Sequence, residues 1–171
     1  MRVGVIGLGA MGMGAARSCL AAGLATVGCD MNPAARAAFE AAGGEAVDRP
    51  SAMGALDAVL ILVVNAAQTD SVLFGGDGLA ACLPAGAVVV AGATTSPDYP
   101  PKLAARLAEH GLLLLDAPVS GGAAKAAAGE MTVMAAGSEA AFAKAEPLLD
   151  AVAERVYRIG PTPGQGAAIK M

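Results

Sequence analysis

The sequence is poor in the residues that mark several classes of protein. Its 171 residues include no tryptophan, one histidine and three cysteines, and only 15% of them are charged. The cysteines, Cys19, Cys29 and Cys82, are odd in number, widely spaced and without a nearby histidine. This pattern indicates neither a disulfide framework nor a metal site, so we expect no metal and a reducing compartment, the cytoplasm. The single histidine, His110, is expected to end a helix, and no histidine-based proton relay is indicated.

Long apolar runs and an excess of basic residues are also missing. The longest strongly apolar run, residues 58–64, is far shorter than the roughly 20 residues of a transmembrane helix. The formal net charge of −4 argues against nucleic-acid binding, because that requires a basic surface. Hydrophobic residues nevertheless make up 56% of the sequence, which excludes a disordered chain. We expect a soluble protein with small, closely packed side chains and with neither nucleic-acid nor membrane partners.

Short β-branched runs alternate with alanine-rich segments of helical period. The runs typical of buried strands are residues 3–6, 26–29, 59–64, 88–90 and 112–115. The segments typical of helices are residues 11–22, 33–42, 66–74 and 97–109, with Pro33 and Pro97 in first turns and Gly23, Gly43 and Gly111 at C-terminal ends. Further strands, residues 131–135 and 155–159, flank a helix at 139–149. The alternation predicts an α/β fold, with right-handed βαβ units in a Rossmann-type, doubly wound, mainly parallel sheet that is extended near its end.

Glycines follow the first predicted strand with a spacing typical of dinucleotide binding. Gly7-Leu8-Gly9-Ala10-Met11-Gly12 matches G-x-G-x-x-G between a strand and a helix. Gly7 allows a tight turn, Gly9 lets the backbone approach a pyrophosphate, and Gly12 lets the helix pack close to the sheet. The helix N-terminus then offers free N–H groups and the positive end of its dipole to the phosphates. The motif alone is a weak signal in a chain with 23 glycines.

Asp30 strengthens this interpretation because it ends the second predicted strand. A carboxylate there can accept hydrogen bonds from both hydroxyls of an adenosine ribose and would repel a 2′-phosphate. No arginine follows before Arg36, so the sequence favours NAD over NADP. The alternative is that Asp30 only caps the next helix, before Asn32-Pro33.

Three further motifs are not general features of nucleotide-binding folds. They are Asp116-Ala117-Pro118-Val119-Ser120-Gly121-Gly122, Thr94-Thr95-Ser96-Pro97, and Gly164-x-Gly166-x-x-x-Lys170. With the glycine loop, they resemble the β-hydroxyacid dehydrogenase family, which includes 3-hydroxyisobutyrate dehydrogenase, over the whole chain in order and spacing. Residues 63–68, Val-Val-Asn-Ala-Ala-Gln, resemble most the L-threonate dehydrogenase branch of that family. The sequence departs from many members at Val63-Val64, where they carry Leu-Pro.

The resemblance implies NAD as the cofactor and assigns residues to it. Besides the glycine loop and Asp30, the implied cofactor-binding residues are Met31, Val63, Val64, Gln68 and Thr94. Thr94 would follow a strand at the edge where ligands bind in open α/β sheets, whereas Thr95 could make a purely structural turn toward Pro97. Met11 matches a family residue near the nicotinamide, and packing of the first helix would explain it equally well.

The resemblance also implies substrate-binding and catalytic residues. The hydroxyl of Ser120 and the N–H groups of Gly121 and Gly122 form a donor cluster suited to the carboxylate of a hydroxy acid, although a plain strand-to-loop turn would also explain them. Lys170 is the expected general acid and base for the substrate hydroxyl. The alternative is a solvated helix lysine. Lys125 could also approach the substrate, but a surface position fits it better.

The end of the sequence gives the expected domain organisation. Residues 164–170 predict a glycine turn that opens a helix, and a helix that starts there would have nothing to pack against. We therefore expect residues 1–163 to form an N-terminal NAD-binding domain and residues 164–171 to begin the interdomain helix of a longer protein. The family's all-α C-terminal domain, its homo-oligomer interface and an asparagine one turn beyond the lysine would follow Met171. The chain alone is then expected to bind NAD and to be a poor catalyst.

The expected function is NAD-dependent oxidation of the hydroxyl of a small hydroxy acid, with L-threonate, oxidised at C2, as the substrate of the nearest branch. Alternatives stay open in two other classes. An imine reductase shares the glycine loop and the domain plan, but Lys170 argues against it. A regulator that senses NAD without catalysis would leave Ser120 and Lys170 without a purpose.

Overall fold

The structure, a computed structural model, describes residues 1–170 and confirms the alternation of strands and helices. The strands are Arg2–Ile6 (β1), Ala25–Cys29 (β2), Glu45–Val47 (β3), Ala58–Ile61 (β4), Val88–Ala91 (β5), Leu113–Asp116 (β6), Val119–Ser120 (β7), Met131–Ala136 (β8) and Ala153–Gly160 (β9). The helices are Ala10–Ala21 (α1), Pro33–Ala41 (α2), Ala66–Phe74 (α3), Tyr99–Ala108 (α4), Gly122–Ala128 (α5), Glu139–Val152 (α6) and Gln165–Lys170 (α7). Short 3₁₀ turns lie at Pro50–Met53 and Ala80–Cys82. Within residues 1–170, no helix combines the length and the apolar character needed to cross a bilayer.

The strands formed by residues 1–170 make one sheet in the order β3-β2-β1-β4-β5-β6-β8-β7, with β9 paired to β8. All pairings among β1 to β6 are parallel. β8 is antiparallel to β6 and to β7, and β9 is parallel to β8. The chain order reverses between β1 and β4, where open α/β sheets bind ligands at the carboxyl ends of their strands. The predicted doubly wound, mainly parallel sheet and its extension near the end are confirmed.

Both faces of the sheet are buried, as the β-branched runs predict. Successive residues of a strand point to opposite faces, so Val88 and Val90 belong to one core cluster and Val89 to the other. The first cluster includes residues of α1, α5 and α6, and the second includes residues of α3 and α4. Helices therefore cover both faces, and the carboxyl edge of the sheet is left for a ligand.

Small residues let α1 lie very close to α5. A Cβ on Gly14 would lie 2.5 Å from the backbone nitrogen of Ala127 and 2.6 Å from the carbonyl carbon of Ala126. The Ser18 hydroxyl donates to the Ala126 carbonyl oxygen over 3.1 Å. Since α1 begins in the glycine loop and α5 follows Ser120, this contact ties two of the predicted binding segments together.

β4 is shorter than its apolar run predicts. It ends at Ile61, which pairs with both β1 and β5, and not at Val64. The physical reason is that β1 turns into the glycine loop after Ile6, so a longer β4 would lack a hydrogen-bonding partner on that side. Val63 and Val64 lie instead in the loop before α3.

α4 begins at Tyr99, later than the predicted start at Pro97. The Tyr99 N–H donates to the Ser96 carbonyl oxygen in a turn that precedes the helix. Pro100 and Pro101 occupy the first helical turn instead, where a missing N–H leaves no helical hydrogen bond unmade.

The expectation that the last helix has nothing to pack against is wrong. The first turn of α7 packs on β8, β9 and β6, and its residues Gly166 and Ala167 are buried. Neither β3 nor β7 was predicted from the sequence as an element of its own. The domain boundary at residue 163 stays a prediction, and Met171 lies outside the described residues.

We expect Gly14→Ala to destabilise the fold, although alanine is the better helix former. The gain in helix propensity is about 1 kcal/mol. Overpacking costs about 1–3 kcal/mol, and the upper end applies here because backbone atoms of α5 cannot rotate away. Urea denaturation followed by circular dichroism should therefore show a lower midpoint.

The matched control is Gly76→Ala, at an exposed loop glycine where an added Cβ would have no described atom within 4 Å. This variant should keep the midpoint of the unchanged chain. A midpoint for Gly14→Ala as high as that of Gly76→Ala would contradict the close contact of α1 with α5.

Candidate functional site

The glycine loop, residues 7–12, connects β1 to α1 at the carboxyl edge of the sheet. Gly7 has a φ of +92°, and a Cβ there would collide with the Leu62 carbonyl oxygen. A Cβ on Gly12 would collide with the Gly7 carbonyl oxygen, so α1 begins directly against the turn. The tight turn and the close helix packing that the sequence predicts for these two glycines are confirmed.

Gly9 faces open space above the start of α1. It is exposed, and no described atom lies within 4 Å of where a Cβ would be. Gly9 is the N-cap of α1, and in the part of the chain that the structure describes no side chain caps the first turn. The backbone N–H groups of that turn and the positive end of the helix dipole therefore face the space beside Gly9. This cradle fits an anionic group such as a pyrophosphate.

Asp30 follows β2 and is joined to the glycine loop. Its Oδ2 accepts from the Leu8 N–H over 2.7 Å, and its Oδ1 accepts from the Asn32 N–H over 2.9 Å. The cap of α2 comes from Asn32, whose Oδ1 accepts from the Ala34 N–H. The Leu8 side chain is 3% exposed and belongs to the core, so Leu8 contributes its backbone to this edge. Asp30 is only half-buried, which leaves its carboxylate accessible to ribose hydroxyls.

The Arg36 side chain lies at the end of β2, which its position in the sequence does not indicate. The first turn of α2 returns its side chain to the preceding loop, where Nη1 donates to the carbonyl oxygens of Asp30 and Met31, each over 3.0 Å. Part of the guanidinium is therefore held by the backbone at the end of β2.

The loop between β4 and α3 is organised by a reciprocal cap. Asn65 Oδ1 accepts from the Gln68 N–H, and Gln68 Oε1 accepts from the Val64 N–H, both over 2.9 Å. This arrangement is similar to a capping box, and the spacing N-x-x-Q in the sequence is the signal that could have indicated it. The Gln68 amide oxygen thus shapes the loop, and its predicted contact with the cofactor stays a prediction.

Two large apolar side chains are exposed at this edge of the sheet. Met31 is 86% exposed and Val64 is 77% exposed, and they follow β2 and β4 on either side of β1. Val63 and Met11 are half-buried instead, each packed against a core cluster. Thr94 is exposed in the loop after β5. The structure thus gives Met11 a packing role, while the cofactor contacts of all five residues stay predictions.

The Ser120 segment leads from β6 through β7 into α5. Val119 and Ser120 pair with β8, and Ser120 is half-buried. Gly121 and Gly122 are exposed and have φ values of +129° and +70°. The structure shows a strand-to-loop turn here, and the carboxylate-binding role of its donors stays a prediction. Lys125 is exposed, with its Nζ 3.8 Å from Glu154 Oε2, so its surface position is confirmed.

A buried carboxylate joins this segment to the helix of Lys170. Asp116 ends β6 and is 2% exposed, and its Oδ2 accepts from the N–H groups of Gly164 and Ala167, each over 2.8 Å. Burial raises the pKa of the Asp116 carboxyl, and the hydrogen bonds from Ala167 and Gly164 oppose that shift. No role for the Asp116 side chain was predicted from the sequence, although an acidic residue at the end of a buried strand is a signal that it has one.

Both glycines of the last motif serve the contact of α7 with the sheet. Gly164 has a φ of +106°, and a Cβ on Gly166 would lie 2.7 Å from the carbonyl oxygens of Asp116 and Met134. Lys170 ends the described part of α7 and is half-buried. Its proton-transfer role stays a prediction.

Comparison with known proteins agrees with these motifs. The family described as the NAD binding domain of 6-phosphogluconate dehydrogenase matches residues 2–160. An L-threonate dehydrogenase of Pectobacterium atrosepticum is 55% identical over 99% of this chain and 56% of its own length. One of Haemophilus influenzae is 54% identical over 99% of this chain and 57% of its own length. The crystal structure of 3-hydroxyisobutyrate dehydrogenase from Salmonella typhimurium has a TM-score of 0.94 and 55% identity, covering 99% of this chain and 60% of that one.

The chain thus spans a little more than half the length of the relatives it matches. Their names confirm the resemblance to β-hydroxyacid dehydrogenases and agree with the branch that residues 63–68 indicate. The open cradle at Gly9 and the accessible carboxylate of Asp30 fit a dinucleotide. The chain belongs to the family of the NAD binding domain of 6-phosphogluconate dehydrogenase, and its cofactor is NAD.

Proposed function

We propose that the protein carrying this chain is an NAD-dependent dehydrogenase that oxidises the hydroxyl of a small hydroxy acid. The observation that supports the proposal most is the hydrogen-bonded junction of Asp116 with α7. It brings the helix of Lys170 to the segment of Ser120, at the same edge of the sheet as the glycine loop. This reaction needs a site for a carboxylate, an amine for proton transfer and a site for the cofactor. We propose all three at one edge of the sheet.

Lys170 performs the proton transfer. Bound NAD⁺ supplies the acceptor for the hydride that leaves the hydroxyl-bearing carbon. As that C–H bond breaks, the Lys170 amine takes the hydroxyl proton, and the C–O bond becomes a carbonyl. The products are the oxo acid, NADH and a protonated lysine that returns its proton to solvent. Positioned proton transfer of this kind contributes about 10²- to 10⁴-fold in rate.

Ser120, Gly121 and Gly122 bind the carboxylate of the substrate. Their hydroxyl and N–H donors are consecutive in the chain, and positive φ values at both glycines suit a backbone turn that presents N–H groups to an anion. Holding the carboxylate fixes the carbon next to it, which bears the hydroxyl in a 2-hydroxy acid.

We propose L-threonate, oxidised at C2, as the substrate. The names of the two relatives described above support this choice, and so do residues 63–68. A panel of C3 and C4 hydroxy acids with NAD tests it. Turnover of cyclic imines but of no hydroxy acid would indicate an imine reductase, and NAD binding without turnover of either class would indicate a sensor.

We propose a cytoplasmic location and a homo-oligomeric assembly for the protein. Cys19, Cys29 and Cys82 are free thiols, and burial raises the pKa of Cys19 to about 12. Unpaired thiols suit a reducing cytoplasm. A homo-oligomer is proposed from the resemblance to the family alone.

We expect Asp30→Asn to lower the preference for NAD over NADP. The amide oxygen can still accept from the Leu8 N–H, so the glycine loop keeps its anchor. The charge that repels a 2′-phosphate is removed, while the Arg36 guanidinium stays beside the site. Isothermal titration calorimetry on the chain should show the ratio of NAD affinity to NADP affinity falling about tenfold, equivalent to about 1.4 kcal/mol.

The matched control for this variant is Asp77→Asn, which removes an exposed charge from the loop after α3, away from the carboxyl edge. It should leave the ratio unchanged. An unchanged ratio in Asp30→Asn, or an equal fall in Asp77→Asn, would show that Asp30 does not set the preference.

We expect Lys170→Met to lower kcat about 10²- to 10⁴-fold, because the side chain keeps its bulk but loses the amine. The affinity for NAD should not change, because the glycine loop and Asp30 are untouched. Both quantities are measured on the protein expressed from its complete reading frame, with L-threonate and NAD⁺. Lys125→Met is the control and should keep kcat, since Lys125 lies on the surface. Undiminished turnover by Lys170→Met would refute the proposed role of this lysine.

A further inference from the structure

We infer that Asp116 is the residue that positions Lys170 for proton transfer, an inference that rests on the proposed function of Lys170. Asp116 does not touch the substrate in this scheme. It acts through α7, whose first turn its buried carboxylate holds.

The carboxylate of Asp116 takes the place of an N-cap side chain. α7 begins at Gln165, and the preceding residue, Gly164, has no side chain with which to cap it. Asp116, in β6, instead accepts from the N–H groups of Gly164 and Ala167, which are 48 and 51 residues away along the chain. These are donors at the helix start that a local cap would otherwise satisfy.

Burial makes this contact specific. Asp116 is 2% exposed, so water does not compete for its carboxylate. None of the ion pairs formed by residues 1–170 includes Asp116, and its charge is balanced by backbone N–H groups and the positive end of the α7 dipole. A Cβ on Gly166 would lie 2.7 Å from the Asp116 carbonyl oxygen, so the helix is also as close to β6 as its backbone allows. Asp116 therefore contacts α7 in two ways, through its carboxylate and through its carbonyl oxygen.

Asp116 also precedes, in the chain, the Ser120 segment that we propose binds the substrate. Ser120 follows Asp116 by four residues, and Lys170 follows Ala167 by three. The connection to Ser120 is itself held, because the Ala117 N–H donates to β5 and the Pro118 carbonyl oxygen accepts from β8. The carboxylate is thus the short link that fixes the separation between the proposed carboxylate site and the proposed base.

The simpler interpretation is that Asp116 only stabilises the fold. It predicts that activity in Asp116 variants follows their stability. A positioning role predicts instead that kcat responds to the length of the side chain, while substrate KM and NAD affinity do not change.

The test compares Asp116→Asn with Asp116→Glu in the protein expressed from its complete reading frame. Asparagine keeps the length and an acceptor oxygen, so it should retain most of kcat. Glutamate keeps the charge and the acceptors but is one methylene longer, which displaces α7. Displacement of a reacting group by such an amount lowers kcat by about 10- to 100-fold. Substrate KM, the Kd of NAD and the urea midpoint are measured on each variant.

Two further variants make the comparison decisive. Ser138→Ala removes the side-chain cap of α6, the same kind of bond on another helix, and should lower the urea midpoint without lowering kcat. Gly166→Ala keeps Asp116 but displaces α7, because the added Cβ would lie 2.7 Å from two carbonyl oxygens of the sheet and 3.1 Å from Asp116 Oδ2, and it should lower kcat as glutamate does. Retention of kcat in Asp116→Glu or in Gly166→Ala would overturn the inference, as would values of kcat that follow the urea midpoint across all four variants.

Lys170→Met separates this inference from the proposed function. If that variant loses kcat and Asp116→Glu does not, only the role of Asp116 fails. If Lys170→Met keeps kcat, the proposed role of Lys170 fails and the role of Asp116 with it. Hydrogen exchange at the Ala167 amide gives a readout without turnover, and it should be faster in Asp116→Ala than in Ser138→Ala.

Discussion

Parallel pairing in register is the constraint on which the site depends. Cys29 pairs with Ile6, Ile6 with Ile61, Ile61 with Ala91, and Ala91 with Asp116, so the last residues of five strands form one row across the sheet. Every segment assigned to the cofactor or the substrate leaves the sheet from this row or just beyond it. A slip of one residue in any pair would turn the buried face of that strand toward the other layer of helices. The same pattern that buries the core therefore also aligns the site.

Asp30 and Asp116 lie at the ends of strands and both accept hydrogen bonds from backbone N–H groups, but the two residues differ in exposure. Asp30 accepts from the backbone of the glycine loop, and Asp116 accepts from the backbone of α7. Asp30 is half-buried, so its carboxylate can hold the loop and still meet a ligand. Asp116 is buried, and its proposed effect on the reaction is transmitted through the helix it holds. Exposure thus separates the carboxylate proposed to bind the cofactor from the one proposed to position a base.

The sequence predicts those features that depend on local pattern. Alternating apolar runs indicate the fold, and the order of strands is enough to place Gly7 and Asp30 at one edge of the sheet. The end of β4 could not be predicted, because it depends on where β1 turns away. The hydrogen bond from the Ala167 N–H to Asp116 joins residues that are 51 apart in the chain, so no local sequence pattern indicates it. The cap formed by Gln68 differs, since its spacing from Asn65 was visible in the sequence.

The scarcity of large side chains has a mechanical consequence. Where a glycine permits backbone to touch backbone, as at Gly14 against α5 and Gly166 against β6, no flexible side chain lies between the two elements. The segment that contains Ser120 lies between these two contacts, since Asp116 precedes it and α5 follows it. It is therefore tied on one side to α1 and the glycine loop, and on the other to α7 and Lys170. A shift of either helix would move the proposed carboxylate site relative to the cofactor or to the base. This coupling explains why the motif of residues 116–122 begins with a buried carboxylate and leads directly into α5.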